Sequence, residues 1–274
     1  VAIFGKENTG KSTLFNKIPV VFDLTPVLYF LQHKTNQRFY LHPLIRHRIV
    51  ATNTTQFRTI MIKTLIAASL IFSSSNALAN LNTPLTPEEL RIEKASLSMP
   101  NVLNAFTGEV NQFEQQFKSL SSYAQAVDAV NDYSKRLWFS AKKRIAKTQN
   151  LDDRALYWAR LQSSKIIRTT KPAFSLSAAQ QTVLLTLLEN GSRGRTDLSY
   201  SQNTSKKILL TGFDPFLLDR NINQSNPSGV AALLLDGQVI NYKGISAEIN
   251  TVMVPVRYED FDQGIIESLL APYY

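Results

Sequence analysis

No cysteine occurs anywhere in the 274 residues. That removes disulfides, thiolate metal sites and a cysteine nucleophile from this chain together. Histidine is almost as scarce. His33, His42 and His47 are the three, and no imidazole follows residue 47, so most of the chain has no side chain with the near-neutral pKa of a ready general base. His42 and His47 are five apart with Pro43 between them. That is not the one-face spacing of a helical ligand pair, no third ligand accompanies them, and no metal site is expected. The formal net charge is +9, but the basic residues are scattered. No run of five or six and no aromatic-interleaved basic ladder occurs, so no nucleic-acid partner is expected. What is present is globular in balance: 44% hydrophobic and 19% charged, over a length sufficient for one large domain or two ordinary ones.

No methionine precedes Met61. From there Lys63 supplies a positive start, residues 65–72 an apolar core, and Ala77-Leu78-Ala79 a small-x-small cleavage pattern, which together read as a secretory signal peptide over 61–79 with a mature chain from about Asn80. The apolar stretch is too short to cross a bilayer, which takes roughly 20 residues. Because such a signal works at an N-terminus, Met61 is the expected natural start and the expected location is periplasmic or secreted; with any other start it is cytoplasmic. Residues 19–60 show neither helical nor strand periodicity and are not expected to form a native domain.

Residues 1–18, VAIFGKENTGKSTLFNKI, carry an apolar strand-like run, then Gly5, Gly10, Lys11 and Ser12 in the spacing G-x-x-x-x-G-K-[ST], with Thr13 opening a possible helix. In that pattern glycine backbone N–H groups wrap a phosphate, the lysine reaches the β/γ-phosphates and the hydroxyl holds Mg²⁺. The segment resembles the first motif of bacterial GTPases of the Era and EngA/Der group. The resemblance implies GTP and Mg²⁺ as ligands of Gly5, Gly10, Lys11, Ser12 and Thr13. It stops at Pro19, and no D-x-x-G or N-K-x-D follows, so a fragment without function is the stronger expectation.

Residues 80–190 read as a helical extension. Thr86-Pro87-Glu88-Glu89 is a helix start with a capping box. Val102, Phe106, Val110, Phe113, Phe117 and Leu120 recur at spacings of three and four, predicting one amphipathic helix with an aromatic-rich buried face. Further helices are expected over 126–145 and 151–167, and another after a second capping box at Ser177–Gln180, closed by Asn190-Gly191. Trp138 and Trp158 are expected in the core. Glu88, Glu89, Glu109 and Glu114 read as solvated charges without chemistry.

A polar linker over 191–206 leads to residues 207–274. Here a strand ends in Gly212-Phe213-Asp214-Pro215-Phe216, Asn226-Pro227-Ser228 caps a helix, a second strand covers 246–256, and a second helix covers 258–270. This order predicts an α/β fold: an incomplete parallel sheet of two strands and two helices, preceded by the mainly helical extension. Two strands with two helices are not expected to bury both faces of such a sheet. The run ILLTGFDPF…NPSG…AALLL…VPVRY resembles the start of the pyroglutamyl peptidase I family. The resemblance implies a cysteine peptidase that removes N-terminal pyroglutamate from peptides, with Phe213 and Phe216 lining the substrate pocket. The family's Cys, His and acidic partner would lie beyond this segment. No catalytic residue is therefore assigned, no cofactor is expected, and the chain as given is expected to be inactive. The alternatives are a GTP-binding fragment or a helical interaction module; no oligomeric state is assigned.

Expressed from Met61 in a Gram-negative host, the chain is expected to be cleaved after Ala79. N-terminal sequencing of periplasmic material checks this, and an intact Met61 there counts against it.

Overall fold

Two capping boxes set the starts of two helices, and both form at the expected residues. In the computed structural model, which describes residues 2–7, 83–148, 151–196, 198–201 and 204–271, Thr86 Oγ1 accepts the Glu89 N–H at 3.2 Å while Glu89 Oε2 accepts the Thr86 N–H at 2.8 Å. With Pro87 at the first helical position this starts α1 (Pro87–Leu90). Ser177 and Gln180 make the same reciprocal pair at 3.2 and 3.0 Å and start α7 (Ala178–Ser192). Between them lie α2 (Ile92–Ser98), α3 (Pro100–Leu103), a 3₁₀ turn (Asn104–Phe106), α4 (Thr107–Ser119), α5 (Tyr123–Thr148) and α6 (Arg154–Thr169). The expected signal peptide lies outside the described residues.

The aromatic stripe is buried as its spacing implies, but the helix carrying it is not continuous. Met99 leaves helical geometry (φ −144°, ψ 61°) before Pro100, since a proline restricts the residue ahead of it to extended backbone. Phe106, Val110, Phe113, Phe117 and Leu120 nonetheless share one core with Val130, Tyr133 and Leu137 of α5, Leu156 and Ile167 of α6, and Leu184 and Leu188 of α7. Phe113 stacks on Tyr133 with ring centroids 4.1 Å apart. Burying each large side chain of this kind contributes roughly 1.5–3 kcal/mol relative to exposure. Trp138 and Trp158 are also buried. Helix α7 does not close at Gly191: the left-handed glycine is Gly194, with φ 73°, while Gly191 lies inside the helix, where a Cβ would strike Ser134 of α5.

The remaining residues build a small mixed sheet. β2 (Lys206–Phe213) pairs in parallel with β4 (Ile245–Val254), with Ile208 opposite Ile249 and Phe213 opposite Val254. The connection runs through α8 (Pro227–Leu235), started by Asn226, whose Oδ1 accepts the Ser228 N–H at 3.1 Å. A further strand, β3 (Gln238–Tyr242), was not expected; it pairs antiparallel with β4. Its two-residue turn has Lys243 at φ 49° and Gly244 at φ 78°, the double left-handed geometry that joins tightly twisted strands. The single helix expected over 258–270 is two, α9 (Tyr258–Asp262) and α10 (Ile265–Leu270), separated at Gly264 with φ 74°. On the other edge β1 (Ala2–Glu7) runs antiparallel to β2, giving the order β1-β2-β4-β3. The chain is thus a mixed α/β protein whose sheet follows a mainly helical region.

Both faces of the β2–β4 pair are covered, contrary to expectation. Ile208, Leu210, Ala247 and Ile249 pack under Ala231 and Leu235 of α8. Leu209, Val252 and Val254 face the other way, against Phe213 and Ile265, Ile266 and Leu269 of α10 and its start. The helical core extends through Ala232 and Leu233 of α8 to Met253 of β4. The helical region therefore supplies a third layer behind α8, which the reading of residues 207–274 alone left out.

Helix α8 approaches β2 so closely that Gly212 has no room for a side chain. A Cβ there would sit 2.6 Å from the Ser228 carbonyl oxygen and 2.7 Å from the Ala232 Cβ. Gly212→Ala is expected to cost about 1–3 kcal/mol by overpacking, seen as a lower urea midpoint with an unchanged m value.

Candidate functional site

At its carboxyl end β2 delivers one residue, Asp214, into the helical layer. Its N–H donates to the Val254 carbonyl at 3.1 Å, continuing the strand pairing by a step, and its carboxylate is buried at 2% exposure. Two arginines from two helices converge on it. Arg160 of α6 donates from Nη1 to both carboxylate oxygens at 3.0 Å, and Arg193, just past α7, donates from Nη1 to Oδ2 at 2.5 Å. Arg193 also donates from Nε to Glu189 Oε2 at 2.6 Å, one turn back, and Arg160 from Nε to Ser192 Oγ at 3.1 Å. Burial works against the charge of Arg193, but Asp214 and Glu189 outweigh it and hold its pKa above the usual value. Burial likewise raises Glu189, but Arg193 and Arg160 dominate and bring it to about 2.

Two guanidinium nitrogens of this group are left over. Arg160 Nη2 and Arg195 Nε are buried without a hydrogen-bond partner. Among the described residues, the Arg195 side chain makes long contacts, 3.4 Å to Asn190 Oδ1 and 3.5 Å to the Met253 carbonyl. Burial, then the neighbouring Arg193, lowers its pKa to about 10. Leaving a buried donor unmade costs roughly 1–3 kcal/mol, so orphaned donors in a native protein call for a reason.

Toward the surface the group is closed by α1. Tyr157 donates its hydroxyl to Glu88 Oε1 at 3.3 Å, and Arg257, following β4, lies 3.6 Å from Glu88 Oε2. Burial raises the pKa of Glu88 against the opposing pull of Arg257; burial, then Glu88, raises that of Tyr157. Helix α1 is pinned on both sides of Glu88. Glu89 accepts from Arg168 Nε at 2.9 Å and from Ser164 Oγ, and Arg91 makes a two-pronged pair with Asp219 at 2.8 Å. Glu88 and Glu89 are thus not the solvated charges that their helix suggests; Glu114 is an ordinary partner of Lys118. Among the described residues no three His, Cys, Asp or Glu gather as a metal site. A cleft of about 250 Å³ beside α5 is lined by Lys142, Asp236 and Glu248; Lys142 pairs with Asp236 at 2.6 Å, and Glu248 Oε2 accepts the Ser201 N–H at 2.7 Å.

The residues expected to bind ligands fare differently. Phe213 packs against the α10 face of the sheet and stacks on Phe261, centroids 6.1 Å apart, while Phe216 is an exposed ring in the loop beyond. Gly5 is in regular strand pairing opposite Ile208, so no phosphate loop opens there. Gly10, Lys11, Ser12 and Thr13 lie outside the described residues. Sequence reasoning missed Arg160, Arg193, Asp214, Glu88 and Arg257. One signal was available: Arg160 stands among Leu156, Ala159, Ser163 and Ile167, on the buried side of an amphipathic helix.

With this geometry in view, the comparisons with known proteins correct both resemblances. Residues 72–189 match the family model described as the PA0049 N-terminal domain, and residues 207–274 match that of the PA0049 C-terminal domain. The chain is 29% identical over 232 residues to the uncharacterized protein PA0049 of Pseudomonas aeruginosa (strain PAO1), an overlap covering 75% of this chain and 40% of that relative. It therefore spans well under half of the relative's length. No solved structure matches. The matched models are those of one protein's two domains, and neither match indicates a pyroglutamyl peptidase or a GTPase. The GFDPF and NPSG runs are accounted for locally: Gly212 lets α8 approach, Asp214 anchors the arginines, Asn226 caps α8, and Ser228 accepts the Phe213 N–H.

A second carboxylate supports the site from below. Asp153, fully buried, accepts the Asn226 N–H at 3.1 and 3.2 Å. Burial, opposed by that bond and reinforced by Asp214, raises its pKa to about 8. The folded state thus holds this proton more tightly than the unfolded chain, whose aspartate titrates near 4. Asp153 should lower stability progressively as pH rises from about 4 toward 8, with no further loss above that. In Asp153→Asn this component is absent, so its melting temperature relative to wild type should climb across the same interval; a constant difference from pH 4 to 8 would disprove the assignment.

Proposed function

We propose that this chain is a binding module for a small molecule bearing an oxyanion, a carboxylate or a phosphate, held at the carboxyl ends of β2 and β4 beneath α1. The observation that carries the reading is the pair of buried, unpartnered guanidinium donors, Arg160 Nη2 and Arg195 Nε, beside a carboxylate already saturated by two arginines. Ligands of sheets with parallel strands sit outside the carboxyl ends of those strands, and guanidinium donors match carboxylate and phosphate oxygens in geometry and charge.

Binding rather than turnover is the reading, since the residues at the site hold and orient charge. Arginine does not exchange its proton at neutral pH, and the chain supplies neither thiol nor imidazole there. A free-standing helical interaction module has less support: the apolar faces of α4 to α7 are spent on the shared core with α8 and β4. The proposal includes export through the expected signal at 61–79, so the ligand would be met in the periplasm or outside the cell.

A ligand that binds only the folded state at a hundred times its Kd adds about 2.7 kcal/mol of stability. Among inorganic phosphate and a series of small mono- and dicarboxylates, at least one should raise the melting temperature relative to sodium chloride at equal ionic strength. Arg195→Gln should abolish that rise. No response to any of these anions, in calorimetry as in melting, would end the reading.

A further inference from the structure

The two orphaned donors of the site belong to arginines in different electrostatic situations. Arg160 stands in a balanced network. Its Nη1 donates to both Asp214 oxygens and its Nε to Ser192, and the carboxylates of Asp214 and Glu189 match the guanidinium charges of Arg160 and Arg193. Arg160 Nη2 is thus a spare donor on a cation whose charge is already met. Arg257 is met as well, by Asp260 at 2.7 Å and Glu88 at 3.6 Å. Arg195 differs. Among the described residues it makes no ion pair, and its two contacts go to neutral oxygens, the Asn190 amide and the Met253 carbonyl. Burial opposes the charge of both neighbours, but Asp214 and Glu189 hold Arg193 above its usual pKa, while Arg195, beside Arg193, falls to about 10. A buried charge without a counter-charge is far costlier than a buried donor without an acceptor.

The strand end holds the two donors apart. The Asp214 N–H binds the Val254 carbonyl, and Arg195 lies against the carbonyl of the residue before it, Met253. Successive carbonyls of a strand point to opposite sides, so Asp214 with its Arg160 stands on one flank of β4 and Arg195 on the other. Resting on the oxyanion reading above, we infer that the ligand is a monocarboxylate with a second, uncharged oxygen acceptor such as a ketone or amide carbonyl, its carboxylate on Arg195 and its neutral oxygen on Arg160 Nη2. The charge of the ligand then neutralises the one guanidinium that lacks a partner, and its carbonyl completes the one that lacks only an acceptor. A second negative charge on the ligand finds no unmatched cation and faces Asp214 and Glu189 instead. A plain alkyl acid leaves Arg160 Nη2 unmade. Arg195 is the anchor, and Arg160 determines specificity by asking for an acceptor without a charge.

Calorimetric titration of the chain with three matched series tests this: the oxo acids pyruvate, acetoacetate and levulinate, the alkanoates propionate, butyrate and valerate, and the dicarboxylates malonate, succinate and glutarate. At least one oxo acid should bind at least tenfold more tightly than the alkanoate of the same length, and at least tenfold more tightly than every dicarboxylate. Arg160→Lys, which keeps a cation for Asp214 and removes the Nη2 donor, should erase the advantage of that oxo acid while leaving its alkanoate within threefold of wild type. Circular dichroism melts verify that the variant folds, and the wild-type series decides by itself if it does not. Oxo acids no tighter than alkanoates, or a dicarboxylate as tight as the best oxo acid, overturn this inference while the oxyanion site stands. An oxo-acid preference that survives in folded Arg160→Lys overturns the role of Arg160. No binding by any of these acids or by inorganic phosphate overturns both readings together.

Discussion

Asp214 is shared by Arg160 and Arg193 in a space that water does not reach, and the relation of the helical layer to the sheet turns on that sharing. Removing three charges from water is expensive, and a buried pair returns the cost only with good geometry and further hydrogen bonds. Here the extra bonds exist: Glu189 and Ser192 take the remaining Nε donors of the two arginines. Such a network is weak evidence for net stability, since well-packed apolar residues could stabilise as much. What it supplies is orientation, because a carboxylate fixed by a strand end admits guanidinium groups from few directions. Truncating Asp214 would strand two buried cations, a loss on the order of 3–5 kcal/mol.

From that point the constraint spreads through the backbone. The Met253 N–H donates to the Arg193 carbonyl at 2.9 Å, joining the end of α7 to β4. The Asp214 carbonyl accepts from Asn226 Nδ2 at 3.0 Å, and Asn226 N–H reaches Asp153 at the start of α6. One asparagine thus caps α8, holds the loop after β2 and binds the helical layer. Its neighbour Ser228 accepts the Phe213 N–H at 3.0 Å and donates to Asn226 Oδ1 at 2.9 Å. These short links register α6, α7, α8, β2 and β4 against one another, while the apolar core supplies most of the driving force for bringing them together.

Much of this was legible before any coordinates, at the level of local rules. Both capping boxes, the aromatic stripe from Phe106 to Leu120, the Asn226 cap and the parallel pairing of β2 with β4 follow from spacing and backbone chemistry. β3 was missed because five residues between Gly237 and the turn at Lys243-Gly244 carry too short a pattern, and its identity as a strand rests on partners in β4. The break at Gly264 was missed because an apolar period continues across it. The site was nearly invisible for another reason. Its members come from residues 88, 157, 160, 193, 214 and 257, and no local pattern relates positions so far apart. Arginine on a buried helix face was the one local clue, and it became meaningful only once Asp214 was placed opposite. The P-loop and peptidase motifs misled in the same way, since glycine, proline and asparagine recur wherever a strand, a turn and a helix meet closely.

The distribution of unmet hydrogen bonds argues for where the fold carries function. Among the described residues, the buried side-chain atoms without a partner belong to Trp158, Arg160, Gln162 and Arg195. Three of these stand within five residues of α6, and the fourth belongs to the arginine cluster. Elsewhere the described core keeps its polar groups paired: Tyr133 with Ser163 at 2.7 Å, Gln181 with the Ile167 carbonyl at 2.9 Å, Thr251 with the Ala232 carbonyl at 2.9 Å. A sequence that satisfies its interior this consistently would have no structural need for a surplus of guanidinium donors at one strand end. An alkyl side chain at residue 160 would fill space without the desolvation cost, and the apolar stripe of α6 would accept it. Local rules are broken in natural proteins chiefly at functional sites. On the binding reading proposed above, the two unpartnered guanidinium donors are half of an interaction whose other half is a ligand.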